Sequence, residues 1–143
     1  MKFVVFFLCV LPGLTMAAEP FCKTGRPHPI DVQLEKDLDK TGGVTVSIRE
    51  AQSKATELWD KELNKTYKQL MSTLDPEDQN LLKKSQRSWL AFREAQTPLW
   101  WSESFFGSGG TLGPIVVSER AREFMKQRVC ELQELVKLRQ ENQ

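Results

Sequence analysis

The sequence predicts an all-α protein: an antiparallel bundle of three long helices with a short N-terminal helix laid across it. Three observations predict it. Apolar residues recur at steps of three, four and seven through three long stretches. Residues that stop and start helices separate those stretches. The β-branched run Ile115-Val116-Val117 could form a short strand, but no second strand is in sight to pair with it.

Residues 1–18 are expected to precede the domain rather than belong to it. Lys2, the apolar run Phe3 to Leu11, Pro12-Gly13 and the small pair Ala17-Ala18 read as a secretory signal peptide. Cleavage is expected near Ala17 or Ala18. The run is well short of the ~20 residues a spanning helix needs. Cys9 lies inside it, behind Phe6-Phe7-Leu8, which is a poor setting for a lipid anchor. The expected location is periplasmic or secreted. With Lys2 removed, 19 basic and 19 acidic side chains remain. That balance argues against nucleic acid or an anionic membrane as the main partner. Cys22 and Cys130 also remain, and an even number in an oxidising compartment favours a disulfide over two free or intermolecular thiols.

Residues 19–43 form an arm. Lys23 to Pro29 is loop material, and Asp31 is expected to cap a short helix carrying Ile30, Leu34 and Leu38, stopped by Gly42-Gly43. Residues 44–143 form the helical domain. Ser47-Ile48-Arg49-Glu50 reads as a capping box opening the first long helix. Ile48, Ala51, Ala55, Leu58, Trp59, Leu63, Thr66 and Leu70 are its inner side. Asp75 and Pro76 end that helix's turn and open the second, with acids in the first turn. So tight a turn makes antiparallel neighbours. The second helix runs from Pro76 to about Gln96, where Pro98 ends or kinks it. The third runs from near Pro114 to about Arg139, with Val117, Ala121, Phe124, Met125, Leu132, Leu135 and Val136 on one side.

Arg93 falls in the middle of the second helix's apolar side, among Leu82, Trp89, Phe92, Gln96 and Trp100. A guanidinium so placed needs a carboxylate from elsewhere. Glu62 supplies one, at roughly 20° from Ala55 on a wheel of 100° per residue. Arg128 sits in the middle of the third helix's inner side. The expected result is a structural ion cluster of Glu62, Arg93 and Arg128 that fixes helix register.

Three ordered segments carry a resemblance. Trp59 to Leu70 is similar to the D-x-E-L-N-x-x-Y-x-x-L signature of the LprI-type lysozyme inhibitor family, small exported bacterial proteins. Gln86 to Ala95 resembles its Q-R-x-W-x-x-[FY]-R-D-A, with Glu94 in place of the aspartate. Gly109 to Pro114 resembles its G-G-[ST]-x-x-P, and Arg128 stands where its late arginine falls. Family members often carry two further cysteines at places that here hold Gln96 and Arg120. The resemblance implies the helical fold and an envelope location, and lysozyme inhibition by protein–protein contact.

The residues themselves point to no reaction. His28, the only histidine, has no acid or cysteine at ligand spacing, so no metal and no cofactor is expected. The chain reads as a non-enzyme. The expected contact surface is the aromatic and serine-rich connection after the second helix: Trp101, Ser102, Glu103, Ser104, Phe105, Phe106 and Ser108. The opposing expectation is that these aromatics fold back and plug the bundle. The alternative function is an envelope structural or interaction module with no lysozyme role.

Overall fold

The computed structural model describes residues 18–142. The leader expected over residues 1–18 lies outside the described residues except for Ala18, and so does Cys9. Among the described residues there are four α-helices, one 3-10 turn at Phe21–Lys23 and no strand: α1 (Pro29–Asp39), α2 (Thr45–Met71), α3 (Pro76–Trp100) and α4 (Gly113–Glu141). None of these helices is long and apolar enough to cross a membrane.

α1 begins differently from expectation. Its N-cap is His28, whose Nδ1 accepts from the Ile30 amide at 3.3 Å, with Pro29 at the first helical position. Asp31 lies inside the first turn, where its charge suits the helix dipole and its oxygens are free for other partners. The exit at Gly42-Gly43 is as the sequence predicts. Both take positive φ, +57° and +80°, which a residue with a Cβ adopts only with strain.

α2 starts at Thr45, ahead of the expected capping box. Val44 precedes it with extended backbone and no side-chain cap, and the Ile48 amide already donates to the Val44 carbonyl at 3.0 Å. Residues Gln52, Ala55, Trp59, Leu63, Thr66 and Leu70 form its buried stripe, at steps of three and four. At the α2–α3 turn Asp75 accepts from the amides of Glu77 and Asp78 at 3.1 and 3.0 Å, with Pro76 behind it.

α3 does not stop at Gln96. It continues through Pro98 to Trp100, and the Trp101 amide still reaches the Thr97 carbonyl at 3.2 Å. A proline near a helix end removes only one donor, so the last turn survives it. α3 is also poorly covered. Leu82 is its one buried residue, while Leu81, Phe92 and Leu99 stay exposed.

α4 carries the largest share of the core. Met125, Val129, Leu132 and Val136 pack with Trp59, Leu63 and Leu70 of α2 and Leu82 of α3. The α2–α4 seam is the principal contact of the fold. Gln52 Nε2 donates to the Ile115 carbonyl at one end of it, and Arg139 Nε donates to the Thr73 carbonyl at the other. α3 meets α4 through aromatic rings, with Trp89 stacked on Phe124 at 5.4 Å.

The N-terminal arm is tied down at several points. Cys22 and Cys130 stand at disulfide distance, with Cα atoms 6.0 Å apart. The Phe21 amide donates to Gln133 Oε1 at 2.9 Å, and Lys54 of α2 pairs with Asp37 of α1 at 3.2 Å. The hydrogen bond from Lys54, followed by that from Gln33, holds the Asp37 carboxyl below the usual carboxylate range.

Candidate functional site

The connection from α3 to α4 is a built turn rather than a slack loop. The Phe106 amide donates to the Trp100 carbonyl at 3.2 Å, Gly107 to Ser102 at 3.0 Å and Gly109 to Phe106 at 3.1 Å. A Cβ at position 107 would overlap the Trp101 carbonyl oxygen, and one at 113 would lie 2.6 Å from the Phe106 oxygen. Glycine at these two places lets the backbone close on itself.

On this frame the candidate contact residues divide into two groups. Trp101 is 45% exposed and Phe105 55% exposed. Glu103, Ser104 and Ser108 are exposed beside them, and the Ser108 hydroxyl donates to the Glu103 carbonyl at 3.4 Å. Phe106 and Ser102 are half-buried. The Arg120 guanidinium lies over the Phe106 ring at 5.9 Å, and the Ser102 hydroxyl has no hydrogen-bond partner among the described residues. Trp100 turns inward and meets Phe124 edge-on at 6.2 Å.

The expected cluster of Glu62, Arg93 and Arg128 is not gathered, and this corrects the sequence reading. Glu62 pairs with Lys65 on its own helix at 3.2 Å and lines a cleft of about 820 Å³ beneath the arm, with Arg26 and His28. Arg93 lies over the Trp89 ring at 5.2 Å. Arg128 is the buried member. Its Nε donates to Gln86 Oε1 at 3.0 Å, Nη2 to Ser85 Oγ at 3.0 Å and Nη1 to Glu131 at 2.9 Å. A wheel locates Cα directions only, and a long side chain reaches whichever partner lies along its stem. Glu62→Gln is accordingly expected to cost less than about 1 kcal/mol, since its partner lysine is exposed. A urea melt checks this, and a loss of several kcal/mol would restore the buried cluster.

The polar group that does join helices centres on Trp59, which the sequence reading treated as plain core. Trp59 is wholly buried, and its indole N–H donates to Asp31 Oδ1 at 3.0 Å. The other Asp31 oxygen receives Lys126 of α4 at 2.9 Å, and Lys126 also pairs with Glu123 at 2.7 Å. Burial works against the lysine charge, but Glu123 and Asp31 outweigh it and raise its pKa. His28 completes the group, its ring 4.5 Å from Trp59 and 5.4 Å from Phe21. Burial lowers the imidazole pKa, with Glu62 and Asp31 pulling the other way, so the neutral ring is favoured and Nδ1 stays available to cap α1. The one signal in the sequence was a tryptophan central to an inner stripe, whose N–H needs an acceptor once buried.

A family model described as lysozyme inhibitor LprI matches residues 38–132. An uncharacterized protein of Rhizobium meliloti (strain 1021) is 33% identical over 141 residues, covering 90% of this chain and 87% of that relative. No solved structure matches. The signature positions serve the packing just described: Gln86 receives Arg128, Trp89 underlies Arg93, and Gly110 takes a positive φ of +55°. The chain belongs to the LprI lysozyme inhibitor family.

Proposed function

We propose that the protein is an exported, envelope-located binding protein that inhibits a lysozyme by protein–protein contact, without catalysis, cofactor or metal. The observation that carries the reading is a tip with two exposed aromatics, Trp101 and Phe105, held on a hydrogen-bonded turn. Aromatic anchors dominate binding energy at protein interfaces, and a rigid support lowers the entropy lost on docking. Ser102, Glu103, Ser104, Phe106 and Ser108 would supply the rim. Family membership supports the target class.

The finer architecture belongs to the same proposal. α3 runs opposite to α2 and α4, giving the antiparallel three-helix bundle, with residues 19–43 as its arm and 44–143 as its domain. Export follows from a signal peptide cleaved near Ala17 or Ala18, and the Cys22–Cys130 disulfide suits the oxidising compartment. A second reading, an envelope interaction module with no lysozyme role, is favoured by one observation: Leu81, Phe92 and Leu99 leave α3 with apolar surface to cover.

The leaderless protein, folded with its cysteines oxidised, is to be titrated against lysozymes in a cell-wall lysis assay. Trp101→Ala combined with Phe105→Ala is expected to weaken inhibition at least tenfold, on the hot-spot scale of about 2 kcal/mol, with melting within about 0.5 kcal/mol of the parent. Parent-like inhibition by the double variant would move the contact surface elsewhere. No inhibition of any lysozyme by the parent would leave the interaction module.

A further inference from the structure

α2 and α3 follow each other through a tight turn, yet their backbones barely approach one another. Two hollows adjoin there, one of about 480 Å³ lined by α2, α3 and α4 and one of about 380 Å³ lined by α2, α4 and Trp101 just past α3, and they share Thr56 and Ala121. Together they form one groove. Its floor is aliphatic, made by Val117, Ala121 and Met125 of α4. Its walls are polar, and Trp101 stands at one end. From Arg49 to Lys61 the α2 wall is about 18 Å long, the span of about five residues of extended chain.

One wall residue is incomplete. Gln52 is 96% buried, its exposure being 4%. Its Nε2 donates to the Ile115 carbonyl, but its Oε1 has no hydrogen-bond partner among the described residues. A buried acceptor left unpaired is costly, and an N–H that meets it once the side chain turns toward the groove removes that cost. The groove's charges are also unmatched. Arg49, Glu57, Asp60 and Lys61 lie along α2 and Arg93 lies on α3, three cations with two carboxylates, and none of the five forms an ion pair among the described residues.

We propose that this groove is a binding site for an extended, acidic–apolar segment of a protein partner. A backbone N–H of the segment donates to Gln52 Oε1. An apolar side chain rests on Val117, Ala121 and Met125. The segment's carboxylate meets Arg49 or Arg93. An aliphatic floor favours a peptide over a glycan strand, whose polar rings need hydroxyl partners along their length. The 18 Å span and the hollows' volume suit an extended strand better than a helix about 10 Å across. The site does not depend on which enzyme the 101–108 tip contacts.

The probe is a capped, fluorescently labelled hexapeptide with leucine at its centre and an aspartate towards each end, titrated by anisotropy into the full folded chain. Binding is expected, weakened about tenfold by Gln52→Leu. That variant should melt close to the parent, because removing the unpaired acceptor offsets the lost bond from Nε2 to the Ile115 carbonyl. N-methylation of the amide that donates to Gln52 is expected to weaken binding to the parent and to leave binding to Gln52→Leu unchanged. Ala121→Trp fills the floor and Thr97→Trp narrows the opposite wall. Each is expected to abolish binding, so a folding defect in one leaves the other as the test. Exchange of the aspartates for lysines is expected to weaken binding. The proposal is overturned by no binding at millimolar peptide, or by binding that both groove-filling variants leave intact. It is overturned equally if an N-acetylglucosamine oligomer binds in the peptide's place. A parent dimer that Ala121→Trp dissociates would make a second copy the occupant and overturn it too.

Discussion

Trp59→Ala is expected to remove about 3–5 kcal/mol of stability, the range for truncating a large buried aromatic. That is about a fifth or more of the ~5–15 kcal/mol that holds a typical domain together. The loss has several sources. Trp59 is wholly buried, its ring lies 5.1 Å from Phe21 and 4.5 Å from His28, and the Lys126 ammonium stands 5.7 Å from its centroid. It is therefore the piece of α2 on which the arm, α1 and α4 all rest. Urea unfolding measures the effect, with the midpoint falling and the slope unchanged. Trp59→Phe separates packing from hydrogen bonding. It keeps a ring but deprives Asp31 of one donor, and Lys126 remains to satisfy the carboxylate. A smaller cost of about 1–2 kcal/mol is expected there. Equal losses in the two variants would place the whole effect in the indole N–H, and a negligible loss in Trp59→Ala would remove Trp59 from the centre of the fold.

The second large effect is expected from the cysteines. Cys22→Ser combined with Cys130→Ser should cost up to about 4–5 kcal/mol, because the bond closes most of the chain into one loop and so restricts the unfolded ensemble. The two positions are 108 residues apart in sequence. Their neighbours reinforce the tie, with Lys23 paired to Glu134 at 3.2 Å and Phe21 bonded to Gln133. Amide exchange in the double variant should accelerate first in the arm and α1, whose covering of Trp59 depends on it. Melting identical to the parent, with and without reductant, would show that the thiols are free in solution.

Helix existence was legible because the apolar period is local. α2's buried residues fall at the predicted spacing, and the Asp75-Pro76 start is as the sequence reads. Helix ends were less legible. His28 replaced Asp31 as a cap and Val44 opened α2 ahead of Ser47, because capping depends on which backbone enters the helix extended. The contact tip was legible as composition, a run of aromatics followed by glycines. Trp100 was legible as an inner residue, on the apolar side of the second helix, but which of the later rings point outward was not. Trp100 turns onto Phe124 while its neighbour Trp101 stays exposed, a difference set by one residue of helical phase at the end of α3.

The sequence by itself determined that this is a helical chain with a family signature, since periodicity, turn residues and motif order are properties of neighbours along the chain. Only the tertiary structure decided the ion partners. Glu62, Arg93 and Arg128 each found a closer group than one another, while Asp31, Trp59 and Lys126 met from three separate helices. It also decided that α2 and α3 stand apart over an aliphatic floor, and that Gln52 keeps an unpaired oxygen against α4. The physical reason is the same in both cases. A long polar side chain is satisfied through space, and the distances that satisfy it exist only after the helices have packed.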